Sequence, residues 1–181
     1  MTAIVSQDGC FMYLIQGNEE TIILNTPKGC MAVEDPPSVN SHYYENGMWV
    51  EMPERPSIYC KFDYVHKAWV DCRTVEQAKS DKWALLKAER DAREVGGFEY
   101  DGNIYDSDVV SQSRIIAAAQ LGVPTVWTLK DNSTIELTAQ QLKELSQSLA
   151  LHITSLHERA RIARQLINEA VTIEQIESIA F

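Results

Sequence analysis

The chain of 181 residues is long enough for one domain or two small ones, and its 45% hydrophobic content can build a core. Only 23% of the residues are charged, which argues against a chain that is disordered throughout. The formal net charge of −10 argues against nucleic acid as the main partner and against anionic membrane surfaces, because both require a positive protein surface.

The negative charge is concentrated at the front of the chain. Residues 1–58 carry eight acidic and two basic side chains, so this region would suit a soluble surface or a basic docking partner. No apolar run is long enough to cross a membrane, and no secretion signal is recognisable at the N-terminus. We therefore expect synthesis in a cytoplasm and no membrane insertion.

Residues 1–73 have the pattern of short strands separated by turns and prolines. Cys10–Ile15 and Thr21–Leu24 are predicted to form a hairpin around Gly17-Asn18. Asn46-Gly47 supplies the positive φ angles of a tight turn within a second hairpin. A third pair of strands is predicted at residues 58–63 and 67–71. We divide this region into an attachment segment, residues 1–40, and a small aromatic β module, residues 41–73.

Residues 74–181 have the pattern of a helical domain that contains two short hairpins. Thr74–Val95 has no Pro or Gly and is predicted to be a helix, which Gly96-Gly97 ends. A second helix, from about Asp108 to Leu121, is predicted to be capped by Asp106 or Ser107. The two hairpins are predicted at residues 98–105, around Asp101-Gly102, and at residues 125–137. The predicted fold class is therefore α+β.

The strongest helix signal runs from Ala139 to Ala170 and begins with a capping box, Thr138 with Gln141. A second box, Thr172 with Gln175, predicts a short terminal helix. Apolar residues recur along the long helix in alternating steps of four and three, which is a heptad seam. The seam has two interpretations, a contact between chains in a coiled coil or a face packed within one chain. The helix would be roughly 48 Å long, which favours association. The predicted oligomer interface consists of Leu149, Ile153, Leu156, Ala160, Ala163 and Ile167.

Candidate catalytic and metal-binding groups are few. Asp101, Asn103, Asp106 and Asp108 form an acidic cluster, but their spacing does not match a calcium loop, and turn and cap roles explain them. His152 and His157 lie five residues apart on a helix and would point about 140° apart, which is poor for metal ligation. The four cysteines lack zinc-ligand spacing and are expected to be thiols. We expect no catalytic residue, no metal and no cofactor.

Several short motifs are specific when they occur together. From Trp83 onward the pattern resembles an uncharacterised C-terminal domain found in phage tail-fibre and tail-fibre-assembly proteins. The front module, with Gly47-Met48-Trp49 and Trp69-Val70-Asp71, resembles short aromatic modules that precede that domain. Residues 1–40 carry no such likeness. The matching segments in the C-terminal part are Lys82-Trp83, Lys87 to Ala92, Gly96 to Gly102, Asp106 to Asp108, Ser111 to Ile115, Val126 to Thr128, Leu137 to Ala139 and Ile167 to Ala170.

The resemblance implies a non-enzymatic structural protein of a bacteriophage tail, either a tail fibre or a baseplate-attached fibre protein involved in host attachment. It implies a place in the virion, with assembly as a homotrimer. The expected partners are further copies of the chain, other tail or baseplate proteins and a host cell-surface receptor. The alternative is a tail-fibre assembly chaperone that leaves the virion after viral tail assembly.

Overall fold

In the computed structural model, which describes residues 1–181, small antiparallel sheets come first and long helices follow. With 42% of the residues in helices and 24% in strands, the protein is mixed α+β, so the predicted fold class is confirmed. The chain separates into two compact units, Met1–Arg73 and Thr74–Phe181. The finer division of the first unit at residue 40 stays a prediction.

A three-stranded antiparallel sheet opens the first unit. Strand β1 (Thr2–Val5) is central and lies between β2 (Phe11–Ile15) and β3 (Met31–Glu34). Three consecutive β1 residues, Ala3 to Val5, are fully buried and supply the apolar centre of the sheet. This strand lies outside the predicted elements, because four residues are too few to show a periodicity.

The predicted strand at Thr21–Leu24 is wrong, because these residues lie in helix α1 (Glu19–Leu24). Asn18 caps the helix: its side-chain oxygen accepts a hydrogen bond from the Thr21 backbone N–H at 2.9 Å. Glu19 and Glu20 occupy the first turn, where negative charge is favourable. The cap and the acidic turn outweigh the strand preference of the β-branched residues, and β2 pairs with β1 instead.

The other two hairpins of the first unit form as predicted. β4 (His42–Glu45) pairs with β5 (Met48–Glu51), and β6 (Cys60–Asp63) pairs with β7 (Ala68–Asp71). Asn46 and Gly47 have φ angles of 51° and 86°, as a type I′ turn requires. The ring of Tyr43 lies 5.3 Å from that of Phe62, so aromatic contacts join the two hairpins.

The second unit contains the helices and hairpins predicted for it. Its long helices begin at capping boxes, Thr74 with Gln77 and Thr138 with Gln141, and a third box, Thr172 with Gln175, starts the terminal helix. The elements are α2 (Val75–Val95), β8 (Phe98–Tyr100), β9 (Asn103–Tyr105), α3 (Val109–Leu121), β10 (Thr125–Thr128), β11 (Thr134–Leu137), α4 (Ala139–Glu169) and α5 (Ile173–Glu177).

The N-cap of α3 is Asp108, so the prediction of Asp106 or Ser107 as the cap is wrong. The Asp108 carboxylate accepts hydrogen bonds from the backbone N–H groups of Val110 and Ser111. Ser107 is fully buried and points inward instead. Its hydroxyl accepts from the Gly97 N–H at 2.8 Å and donates to the Glu94 carbonyl at 2.6 Å, which ties the end of α2 to the start of α3.

Helix α4 is the central element of the second unit. Its first half packs with α3 and both hairpins in the main core, where Leu142, Leu145 and Leu149 are buried. Tyr100 on β8 donates a hydrogen bond to the Glu144 carboxylate at 2.9 Å. Burial and this bond raise the pKa of Tyr100 to about 12. The second half of α4 packs against α2 in a smaller cluster.

Candidate functional site

The heptad face of α4 is buried within the chain. Among the predicted interface residues, Leu149, Leu156, Ala160, Ala163 and Ile167 are each at most 5% exposed, and Ile153 is partly buried against the main core. Their neighbours, such as Leu86 on α2 and Ile115 on α3, belong to the same chain. The structure therefore corrects the placement of an oligomer interface on this face, and the alternative, packing within one chain, describes it.

Helices α2 and α4 form an antiparallel pair. Lys79, near the start of α2, donates a hydrogen bond to the Asn168 carbonyl near the end of α4 at 2.9 Å. Glu94, at the end of α2, accepts one from His157 at 3.0 Å, midway along α4. Between these bonds, Ala163 and Ile167 of α4 pack with Leu86 of α2, and the small side chain of Ala163 allows the helices to approach closely.

One flank of this pair is covered by the end of the chain. Helix α5 buries Ile176 against Ala78, and Lys82 donates a hydrogen bond to the Glu177 carbonyl at 2.9 Å. The Phe181 ring lies 5.1 Å from the guanidinium groups of both Arg93 and Arg159. The sequence predicted α5 and its apolar side. The packing of α5 onto α2 was not predicted, because no residue pattern near α5 in the sequence specifies it.

The opposite flank is an open groove of about 440 Å³. Its apolar surface comes from partly buried aromatic and aliphatic side chains, and its polar surface is dominated by arginine. It is lined by Trp83, Arg90, Ile153, Thr154, His157, Ala160, Arg161 and Arg164. We call this the arginine groove. This groove was not predicted from the sequence, although His157, Arg161 and Arg164 follow the helical spacing of four and three.

The arginines of the groove differ in their partners. Arg90 donates to the carboxylate of its neighbour Asp91 at 2.9 Å. Arg164 lies over the Trp83 ring at 5.0 Å, a cation–π contact. His157 is held by Glu94. No Asp or Glu lines the groove, so the positive charges of Arg161 and Arg164 on α4 have no carboxylate partner within it.

The acidic cluster singled out in the sequence has structural roles. Asp101 occupies the β8–β9 turn with a φ of 49°, and its carbonyl accepts a hydrogen bond from Asn103 at 3.0 Å. Asp108 caps α3 and is held there by hydrogen bonds to Ser111, which lower the pKa of its carboxyl. No group of three or more His, Cys, Asp or Glu side chains is placed to hold a metal ion.

His152 and His157 are not brought together. His152 lies on the covered flank, with its ring 3.3 Å from the Arg93 carbonyl and the ring centroid 5.9 Å from that of Phe98. His157 lies in the arginine groove. The predicted divergence of the two rings is confirmed. All four cysteines, which were expected to be thiols, are free.

Helix α3 exposes an apolar surface. Ile115 faces the core, while Val109, Val110, Ile116 and Leu121 are 71%, 56%, 47% and 73% exposed. A surface helix normally shows polar residues on its solvent side. Exposed apolar side chains gathered on one element are typical of a surface that contacts another protein.

Residues 77–180 match the family described as a domain of unknown function, DUF4376. The match covers more than half of the chain and nearly all of the second unit, so the chain belongs to this family. No curated protein and no solved structure matches the chain. None of the helices combines the length and the apolar character needed to cross a membrane.

Proposed function

We propose that the chain is a structural component of a bacteriophage tail, a fibre or baseplate-attached fibre protein that assembles with further copies of itself. The motifs from Trp83 onward, which resemble the C-terminal domain of phage tail-fibre and tail-fibre-assembly proteins, support the place in the tail. Membership of the DUF4376 family is compatible with this proposal and assigns no activity of its own.

The observation that carries the assembly part of the proposal is the solvent side of α3. Four aliphatic side chains are 47% to 73% exposed there, and burying an aliphatic side chain completely stabilises an assembly by roughly 1.5–3 kcal/mol, so burial of the exposed part of each contributes a fraction of this. The heptad face of α4 is already occupied within the chain. We therefore place the contact between copies on α3, with Val110 and Leu121 on the same side of the helix.

Light scattering of the purified chain tests this assembly. We expect a mass of three times 20.5 kDa at micromolar concentration. The double variant Val110→Glu/Leu121→Lys should give the mass of one chain. It adds no net charge, and each new charge suits the dipole at its end of α3, so the helix itself should be preserved.

The matched control places the same pair of charges on two other exposed leucines. Leu85 on α2 and Leu151 on α4 are 61% and 70% exposed. The variant Leu85→Lys/Leu151→Glu should keep the wild-type mass. A wild-type chain that stays monomeric at micromolar concentration would contradict the assembly, and equal dissociation of both double variants would contradict its location on α3.

A further inference from the structure

The arginine groove combines two features that point to a ligand. Its walls come from the two helices, with Arg90 on α2 facing the α4 side chains Arg161 and Arg164. Its floor includes Trp83, Ile153 and Ala160, so an apolar surface lies beside the guanidinium groups. This combination suits a ligand that carries negative charge and an apolar group close together.

The positive charge of the groove is opposite in sign to the net charge of the whole chain, which has 26 acidic and 16 basic side chains. Acidic residues are abundant enough to pair with every arginine, yet Arg161 and Arg164 form no hydrogen bond or ion pair, and Arg164 lies over the Trp83 ring instead. The neighbouring carboxylates pair with two other side chains of the groove, Glu94 with His157 and Asp91 with Arg90, and leave Arg161 and Arg164 without a carboxylate partner. Clustered cations without partners produce a local positive potential that attracts an anionic group.

We propose that the arginine groove binds an acidic segment of a partner protein, one in which Asp or Glu alternates with apolar side chains. Guanidinium groups bind carboxylates through paired hydrogen bonds, and Trp83 with Ile153 receives the adjacent apolar side chain. Nucleic acid offers phosphates in place of carboxylates, but the net charge of −10 repels a polyanion beyond the groove. The proposal concerns the groove alone and does not depend on the tail function.

The test uses the full chain and a fluorescein-labelled peptide of alternating Glu and Leu, with binding followed by fluorescence anisotropy. We expect saturable binding that weakens as salt rises, because screening reduces the attraction of exposed charges. A peptide of alternating Lys and Leu should not bind. A peptide of alternating Glu and Ser should bind about tenfold more weakly, because it leaves the apolar floor of the groove uncovered.

Two variants locate the site. Arg161→Gln/Arg164→Gln should weaken binding of the Glu-Leu peptide about tenfold or more, since each substitution removes a guanidinium group that would hold a peptide carboxylate by charge-assisted hydrogen bonds. Arg161→Gln alone removes no core contact and should also weaken binding of the peptide. This single variant keeps the test decisive if the double variant misfolds. Lys61→Gln/Lys143→Gln is the matched control: it removes the same charge from two exposed positions and should change affinity less than twofold.

Any one of the following outcomes would overturn the proposal. Absence of saturable binding removes the site, and equal losses in the arginine and lysine variants mean general charge attraction. Equal affinity for the Glu-Ser peptide removes the role of the apolar floor. Displacement of the peptide by inorganic phosphate or by single-stranded DNA at comparable concentrations means that the groove recognises anions or nucleic acid and not an acidic protein segment.

Discussion

At the scale of single residues, Gly9 has a role that its neighbours in sequence do not reveal. Its φ is +82°, and a Cβ there would collide with the backbone carbonyl of Tyr44. The Gly9 carbonyl accepts a hydrogen bond from the Tyr44 N–H at 2.9 Å. Gly9 therefore allows the β1–β2 turn to lie directly against β4, which ties the three-stranded sheet to the next hairpin.

Gly29 provides a matched comparison, because its φ is +84° and open space surrounds it. Gly29→Ala should cost about 1 kcal/mol, the price of a left-handed backbone for a residue with a Cβ. Gly9→Ala should cost about 1–3 kcal/mol more, because the Tyr44 backbone has to move. Hydrogen exchange of β1 and β4 amides measures the difference. Equal loss of protection in both variants would contradict the close approach at Gly9.

The Asp63–His66 pair predicts a pH dependence. Asp63 Oδ2 lies 2.7 Å from His66 Nδ1, and this hydrogen bond lowers the pKa of Asp63 to about 2 and raises that of His66 above 6.5. The histidine contribution is complete below its unfolded pKa and is lost as pH rises through the raised pKa. The aspartate contribution is complete above its unfolded pKa and is lost as pH falls towards 2. The pair therefore stabilises the turn fully between about pH 4 and 6.5.

An NMR titration of the His66 ring protons checks this pair. In the wild type the midpoint should lie above 6.5. In Asp63→Asn it should move down towards 6.5, because the neutral amide no longer favours the imidazolium ion. Unchanged midpoints would show that the two side chains do not interact in solution.

At the scale of elements, local chemistry predicted the helices and hairpins well. Thr138 with Gln141 and Asn46-Gly47 act through contacts a few residues apart, so the sequence contains the whole signal. At Thr21–Leu24 two local signals compete, and the Asn18 cap prevails over β-branched residues. The seam of α4 is a different case, because steps of four and three appear whether the partner helix is α2 or a helix of another chain.

Leucine-to-alanine substitutions distinguish the two roles of α4 side chains. Leu156 is 5% exposed and packs within the chain, so Leu156→Ala should lower the free energy of unfolding of the second unit by about 2–5 kcal/mol. Leu151, on the same helix, is 70% exposed, and Leu151→Ala should change it by less than about 0.5 kcal/mol. Urea unfolding followed by circular dichroism measures both. If Leu156→Ala dissociated an oligomer while each chain kept its stability, the seam would be an interface after all.

At the scale of the whole molecule, the α+β class could be predicted because strand-rich and helix-rich patterns change once, near Arg73. The arginine groove and the exposed side of α3 could not be predicted, because the packing of the whole second unit determines which face of each helix remains exposed. Arg90 and Arg161 are 71 positions apart in sequence, and only the antiparallel packing of α2 on α4 brings them to one groove. The net charge of −10 therefore gives no indication of this positively charged groove.

The most direct test of the proposed tail function is quantitative mass spectrometry of purified virions of the phage that encodes the chain. We expect the chain in the virions at a constant ratio to the major tail proteins, in a number of copies that is a multiple of three. We expect the same ratio in independent preparations and after a salt wash. A chain that is abundant in infected cells but absent from purified virions would contradict the account and would identify a factor that acts during tail assembly and then leaves.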